Sequence, residues 1–339
     1  MCFGGALFLR VSTKRFNKYL FMRKIVVLGI LMLMGANIAN AQTEKVKYGD
    51  FQQWITRTIH ESAVIGGATR TLYEVGPTAT IDGNKAYTNR GGSPWATSNV
   101  YAKVSGVSKG SCSVMPDKRS GGNTCMKMTT VFEHVKVLGL INLDVLASGS
   151  SYLGRMVEPV SSTKNPYSKL DMGVAFTRRP KYLVYDYRVY IPAGAKMIYA
   201  SGFGKQKTLN KQNACETFVI LQQRWEDEKG NIFAKRVGTG RERFYKSTSG
   251  WVNNHKLAIH YGDITGESFY KSWMGLISNN RPYYATNSKG KMVPVKEVGW
   301  AEADAKPTHM MMMFSAGCGT AYEGTIDQTL WIDNVELQY

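Results

Sequence analysis

Cysteine is scarce in this sequence, with five residues in 339 and none in a C-x-x-C pair. This spacing argues against a zinc ribbon and against a thioredoxin-like redox site. Four of the five, Cys112, Cys125, Cys215 and Cys318, could form two disulfides in an oxidising compartment. Cys112 and Cys125 flank a Gly-rich loop, so we predict that these two pair across a hairpin. The alternative is four buried free thiols, because cysteine is often a small core residue.

Catalytic motifs are also missing. His60-Glu61 is not followed by a second histidine at the zincin spacing, and no G-x-S-x-G is present. Ser161-x-x-Lys164 matches a serine–lysine spacing, but Asn165-Pro166 follows directly and disfavours the helix that this motif needs. The sequence therefore assigns no catalytic residue.

Paired carboxylates remain as the enzymatic alternative. Glycoside hydrolysis needs two carboxyl groups about 5 to 10 Å apart. Acidic residues are few, 25 against 43 Lys and Arg, and most are expected to be solvated in turns. The available candidates are Glu133, Glu158, Glu216, Asp263, Glu267 and Glu323.

No apolar run is long enough to span a bilayer comfortably, which takes about 20 residues. The apolar run Ile25–Met34 follows Met22-Arg23-Lys24 and precedes Ala39-Asn40-Ala41, which is the pattern of a secretory signal peptide. We therefore expect an exported protein, periplasmic or on the outer surface. The predicted segments are a mis-assigned upstream extension, a signal peptide and a single mature domain, at 1–21, 22–41 and 42–339.

Runs of like charge are absent as well. The net charge is +18, of which the six basic residues of 1–41 contribute one third, so the mature part carries +12. Because these charges are dispersed and export is predicted, we expect no nucleic-acid partner. A basic surface that faces an anionic glycan or an acidic cell envelope fits better.

Helical periodicity is weak throughout, and Tyr270–Leu276 is the best short helix candidate. Alternation of apolar and polar residues instead predicts many strands and an all-β sandwich with long decorated loops. The run of four methionines from Met310 to Met313 favours a central strand buried on both faces. The predicted strands are Val100–Val107, Met126–Phe132, Ile141–Leu146, Tyr182–Ile191, Phe218–Trp225, Leu257–Tyr261, Met310–Ser315 and Leu330–Tyr339.

Aromatic residues are plentiful, at 12% of the chain, and many lie beside polar turn residues. A sugar presents apolar C–H faces and hydroxyl groups, which suit a flat ring flanked by amide or guanidinium groups. The alternative is that these rings are buried core side chains at the ends of strands. The predicted ligand-binding residues are Trp95, Trp251, Trp273, Arg281, Tyr283 and Tyr284.

Four segments resemble a known family. They are Asp50-Phe51-Gln52-Gln53-Trp54, Ser93-Pro94-Trp95-Ala96-Thr97-Ser98-Asn99, Phe176-Thr177-Arg178-Arg179-Pro180-Lys181-Tyr182-Leu183 and Leu330-Trp331-Ile332-Asp333-Asn334-Val335. Their order resembles the "putative carbohydrate metabolism domain" family of exported bacterial proteins. The resemblance covers about residues 42–339. It implies a jelly-roll sandwich similar to galactose-binding-like domains and carbohydrate-binding modules.

The missing catalytic motifs beside abundant loop aromatics favour non-catalytic carbohydrate binding, in glycan capture or utilisation. The alternatives are a glycoside hydrolase or related glycan-active enzyme, and a structural or adhesive cell-surface protein. A structural calcium is a possible cofactor of such domains, with Asp333 as the candidate ligand. Gln52 stands where related openings often carry Glu, and calcium needs several oxygen ligands, of which Asp333 supplies one carboxylate.

Overall fold

The computed structural model describes residues 42–137, 141–202 and 205–339. The predicted upstream extension and signal peptide lie outside these residues. Thr43–Tyr339 forms one compact unit. Within the described ranges, no helix is long and apolar enough to cross a membrane.

The helical content of the described residues is limited to three short 3-10 turns. These are Ala63–Ile65, Pro166–Lys169 and Ser272–Met274. The helix predicted at Tyr270–Leu276 is thus reduced to the single turn Ser272–Met274.

Eight strands form the two sheets of a sandwich. In chain order they are β1 (Thr124–Thr129), β2 (Ser150–Met156), β3 (Tyr182–Tyr190), β4 (Cys215–Glu226), β5 (Ile232–Phe244), β6 (Val252–Ala258), β7 (His309–Ser315) and β8 (Thr329–Gln338). The first sheet has the order β1-β8-β3-β6 and the second has the order β2-β7-β4-β5, with every neighbouring pair antiparallel. This order is that of a jelly roll built from two Greek keys. The predicted fold class, an all-β jelly-roll-type sandwich, is confirmed.

Further strands extend these sheets or form small sheets beside them, so the long connections are themselves structured. The extending strands are Thr43–Lys45 and Val114–Lys118 in the first sheet, and Trp95–Thr97, Leu170–Met172, Val174–Ala175, His260–Tyr261, Tyr284–Thr286 and Met292–Trp300 in the second. The small sheets contain Trp54–His60 with Thr69–Val75 and Ala79–Asp82, Val131–Val137 with Ile141–Ala147 and Ser201–Gly202, Met197–Tyr199 with Lys207–Leu209 and Glu323–Gly324, and Val100–Val104 with Val107–Ser111.

The main core lies between the two sheets. Side chains alternate between the two faces of a strand, which sends Val219 of β4 and both Leu330 and Ile332 of β8 into this core. The opposite face of β4 carries Phe218 and Ile220, which belong to a second buried cluster. The second sheet is therefore covered on both faces, and its outer face forms the base of the candidate site.

Strand β7 confirms the prediction made from the four methionines. It lies between β2 and β4, and Met310, Met311 and Met312 are at most 3% exposed. Neighbouring strands on both sides and packed clusters on both faces leave these positions no access to water.

The break in alternation at the C-terminus marks a β-bulge. The register of β3 against β8 shifts between Val184 and Asp186, opposite the doublet Asp333-Asn334. Asn334 has a φ of 53°, a left-handed conformation that asparagine tolerates better than most residues.

Two predicted strands are divided in the structure, and these predictions were wrong in extent. Met126–Phe132 is interrupted at Thr130, after which Val131–Val137 joins a different sheet. Val100–Val107 is a hairpin, because Ser105 and Gly106 have φ values of 49° and 82° and turn the chain back.

A buried ion-pair network ties a small sheet to the sandwich. Arg57 donates to Glu74 Oε1 at 2.7 Å and to Glu158 Oε2 at 2.6 Å. Thr97, on a strand paired with β2, donates to Glu74 Oε2 at 2.9 Å. Burial, only partly offset by Arg57, raises the pKa of Glu74 to about 7.

This network predicts an unusual pH dependence of stability. A carboxyl whose folded-state pKa lies above its unfolded value holds its proton more tightly in the folded protein, so its contribution to stability falls as pH rises from about 4.5 to about 7. Between pH 5 and pH 7, we expect the free energy of unfolding of wild type to fall by about 1 to 2 kcal/mol relative to that of Glu74→Gln, because the glutamine side chain does not titrate. Urea unfolding of both proteins across this range checks it, and parallel stability curves would contradict it.

Candidate functional site

A cleft of about 600 Å³ lies on the outer face of the second sheet. One wall is the segment 272–283, hereafter the site loop, and other walls come from the connections around Tyr167 and Tyr322. Its floor is made by side chains of β4, β5 and β7 that alternate outward from the core. The floor residues are Glu216, Arg241, Arg243, Met313 and Ser315.

The site loop is held by a fully buried ion pair. Arg236 Nη2 donates to Glu297 Oε2 at 2.6 Å, and both side chains are 0% exposed. Arg236 also donates to the carbonyl oxygens of Met274 and Gly275, while the Ile277 N–H donates to Glu297 Oε2 at 2.7 Å. Burial alone would raise the pKa of Glu297, but the charge and hydrogen bonds of Arg236 outweigh it and lower that pKa. Backbone groups that water would otherwise bind are thus fixed by two side chains of the sheet.

Two guanidinium groups and one carboxylate form the centre of the floor. Glu216 accepts from Arg243 Nε at 2.6 Å and from Arg241 Nε at 3.1 Å and Nη2 at 3.2 Å. The ring of Trp273 lies over both cations, 4.8 Å from Arg243 and 6.0 Å from Arg241. Cation–π contact and ion pairing therefore hold these groups in fixed positions beside a partly exposed indole ring.

Three of the six candidate acidic residues line the cleft, and each has a basic partner. Glu216 binds the two floor arginines, Glu133 lies 3.2 Å from Lys109, and Glu323 lies 2.9 Å from Lys211. Burial favours a higher pKa for Glu323, but the Lys211 hydrogen bond and charge help to lower it. A general acid for glycoside cleavage needs the opposite shift. The other candidates, which do not line the cleft, are Glu158, Asp263 and Glu267.

The cleft continues into a second depression of about 580 Å³. Tyr167, Arg281 and Tyr322 line both parts, and Tyr199 lines the second. Tyr322 donates to the Thr163 carbonyl at 2.6 Å. Burial raises the pKa of Tyr167 and Tyr322, so these phenols stay neutral at physiological pH. Together the two parts form a trough walled by aromatic rings.

The structure brings three of the predicted ligand-binding residues into this cleft. Trp273, Arg281 and Tyr283 all lie on the site loop and line the cleft. Tyr283 packs against Phe218 and Tyr167, with ring centroids 5.8 and 6.4 Å apart. Tyr283 therefore acts as part of the wall, while Trp273 and Arg281 are the more accessible members.

The other three predicted residues lie elsewhere. Trp95 is 0% exposed in the main core, so it offers no face to a ligand, and including it was an error. Trp251 packs against Arg119 at 4.2 Å and does not line the cleft. Tyr284 is a strand residue whose hydroxyl accepts from Asn165 Nδ2 at 2.9 Å, also outside the lining.

Asp333 binds a guanidinium group where the sequence suggested calcium. Arg119 Nη1 donates to Asp333 Oδ2 and to Asp186 Oδ2, both at 2.7 Å. Burial raises the pKa of Asp333, whereas hydrogen bonds from Asn254 N–H, Asn334 and Arg119 outweigh burial and lower the pKa of Asp186. The described residues contain no group of three or more His, Cys, Asp or Glu side chains that could hold a metal ion. The site does not fit calcium, and the prediction is corrected accordingly.

This correction is testable. Asp333→Asn keeps the shape of the side chain but removes one of the two charges facing Arg119, so we expect a loss of about 1 to 2 kcal/mol in unfolding free energy. A chelator should leave the melting temperature of both proteins unchanged. If a chelator lowered the melting temperature of wild type but not that of Asp333→Asn, the result would support a calcium ion at this site.

The predicted disulfide is not formed. Cys112, Cys125, Cys215 and Cys318 are all free thiols. Cys125 faces Asp117 across a strand pair and its Sγ lies 3.5 Å from that residue's carbonyl oxygen. Cys112 instead packs against a separate small cluster. The two thiols thus have separate partners, the Val114 carbonyl for Cys112 and the Asp117 carbonyl for Cys125.

Sequence reasoning missed the floor arginines and the tyrosine wall. Arg241 and Arg243 are two residues apart on β5, and this spacing places both on one face of a strand. That signal was present in the sequence. Tyr167 and Tyr322 lie in connections that are far apart in the sequence, and only the folded structure brings them to the same cleft.

Comparisons with known proteins give distant structural similarities. No family model and no curated protein matches the chain, so membership of the carbohydrate metabolism domain family stays a prediction. One solved structure is a "putative glycoside hydrolase" from Bacteroides thetaiotaomicron, with a TM-score of 0.41 and 17% identity, covering 81% of this chain and 76% of that chain. Another, from Bacteroides vulgatus, carries the same description, with a TM-score of 0.42, 14% identity, and coverage of 87% and 94%.

A third similar structure is a carbohydrate-binding module of the CBM28 type, described as specific for non-crystalline cellulose. It has a TM-score of 0.27 and 10% identity, and covers 73% of this chain and 90% of that chain. Because every one of these TM-scores is below 0.5, we base the function on the residues of the cleft alone.

Proposed function

We propose that this chain is a non-catalytic carbohydrate-binding protein and that a glycan occupies the cleft on the outer face of the second sheet. The observation that carries this proposal is the pairing of the Trp273 ring with the fixed polar groups of Glu216, Arg241 and Arg243 in one open trough.

The chemistry of a sugar matches this combination. The apolar C–H face of a pyranose packs on an aromatic ring, and its hydroxyl groups need placed donors and acceptors around that ring. The carboxylate of Glu216 accepts hydrogen bonds, and the guanidinium groups beside it donate them. Because these side chains are already held by ion pairs, little conformational entropy is lost when a ligand binds.

The trough suits an oligosaccharide more than a monosaccharide. Its two parts share Tyr167, Arg281 and Tyr322, and each is large enough for several sugar atoms to be enclosed. We further propose that the protein acts after export, as the signal-like segment 22–41 suggests.

A glycan array followed by titration tests the proposal. We expect the purified protein to bind at least one polysaccharide or oligosaccharide class, with binding saturable and competed by the free glycan. Bound glycan should be recovered intact after prolonged incubation. Absence of binding across the array would contradict the proposal.

The enzymatic alternative is kept because Glu133, Glu216 and Glu323 line the same cleft. It predicts new reducing ends when a bound glycan is incubated with the protein. Loss of that activity in Glu323→Gln with retained binding would establish a hydrolase. We favour binding because all three carboxylates have basic partners.

A further inference from the structure

The trough carries more positive than negative side chains. The first part is lined by three carboxylates and by Lys109, Lys169, Arg241, Arg243 and Arg281. The second part adds Lys164 and, within its lining, no acidic residue. A cleft lined by charges of one sign raises the local concentration of ligands of the opposite sign, and the second part of the trough has such a lining.

The pairing of the floor leaves one positive charge uncompensated. Glu216 carries one negative charge and is shared by Arg241 and Arg243. It accepts from Arg243 only through Nε, and the other side-chain hydrogen-bond partner of that guanidinium is Tyr245, so its terminal nitrogens have no carboxylate partner among the described residues. Trp273 covers one face of the same group at 4.8 Å, which fixes the plane in which those nitrogens lie.

Arg281 supplies a second uncompensated charge at the junction of the two parts. Its backbone N–H donates to the Ser278 carbonyl at 2.9 Å, which fixes the turn that carries it. Its guanidinium is exposed and has no ion pair with any described carboxylate. A planar guanidinium with free donors is suited to bidentate binding of a carboxylate or a sulfate.

Resting on the proposed function, we propose that the ligand is an anionic glycan whose carboxylate or sulfate groups are bound by Arg281 and Arg243. Two uncompensated positive charges beside an aromatic ring match a sugar that carries an anionic group. A neutral glycan would use the ring and leave these charges facing only water.

The test is a titration with three matched oligosaccharides of one backbone: neutral, with uronate carboxylates, and with sulfate esters. We expect an acidic member to bind at least about tenfold more tightly than the neutral one, with affinity falling as NaCl rises from 50 to 500 mM. The uronate and sulfate arms show which anion is preferred.

Arg281→Gln should weaken binding of the acidic glycan about tenfold and binding of the neutral glycan by a clearly smaller factor. Arg90→Gln, the same change at an exposed arginine outside the trough, is the matched control and should leave both unchanged. Equal affinity for neutral and acidic members would overturn this inference while the proposed function stands. Equal effects of Arg281→Gln and Arg90→Gln would also overturn it, and absence of binding across the whole glycan array would overturn both proposals.

Discussion

Replacing Glu297 with glutamine should lower the free energy of unfolding by about 3 kcal/mol or more. Arg236 and Glu297 are both 0% exposed, so the variant leaves a buried guanidinium without its counter-ion. Removing one partner of a buried pair typically costs 3 to 5 kcal/mol, because the remaining charge is neither solvated nor compensated. Urea unfolding monitored by circular dichroism measures the loss.

The same variant should also loosen the site loop. Glu297 accepts the Ile277 N–H, and Arg236 donates to two carbonyl groups of the loop, so the pair connects the sheet to the wall that carries Trp273. We expect faster amide hydrogen exchange at Ile277 and weaker glycan binding. Glu302→Gln, the same change at an exposed residue, should alter neither the hydrogen exchange at Ile277 nor glycan binding. A Glu297→Gln protein as stable as Glu302→Gln would contradict this account of the loop.

Replacing Trp273 with alanine should weaken glycan binding by about 2 kcal/mol or more, which is about thirtyfold in affinity. Two effects act together. The sugar loses its apolar platform, and Arg241 and Arg243 lose the ring that holds their guanidinium groups in place. The loss should be larger than for Tyr283→Ala, because Tyr283 packs against Phe218 and Tyr167 as part of the wall.

The jelly roll was predictable from local patterns in its central strands. The methionine run of β7 reflects burial on both faces, the alternation of β8 reflects one face that meets the core, and the break at Asp333-Asn334 corresponds to a bulge. Strand ends were less predictable. The turn at Ser105-Gly106 divides the segment Val100–Val107, whose composition predicts one continuous strand.

The site was half predictable from composition and sequence. Trp273 and Arg281 lie beside turn residues and proved to be in the cleft, yet Trp95 has a similar setting and is buried in the core. The difference depends on which side of a distant sheet each segment packs against. Arg119 occupies the place where calcium was predicted, and it pairs with Asp186 and Asp333, which lie 67 and 214 positions away in the sequence. No local sequence pattern indicates contacts over such separations.

The most direct test of the central claim is calorimetric titration of one array-identified glycan into wild type, Trp273→Ala and Trp225→Ala. Trp225 is 44% exposed at the end of β4 and does not line the cleft, so it controls for the loss of any surface tryptophan. We predict wild-type affinity for Trp225→Ala and a loss of about thirtyfold for Trp273→Ala, with both variants folded as judged by thermal unfolding. Unchanged affinity in Trp273→Ala, or an equal loss in both variants, would show that the glycan does not bind in this cleft.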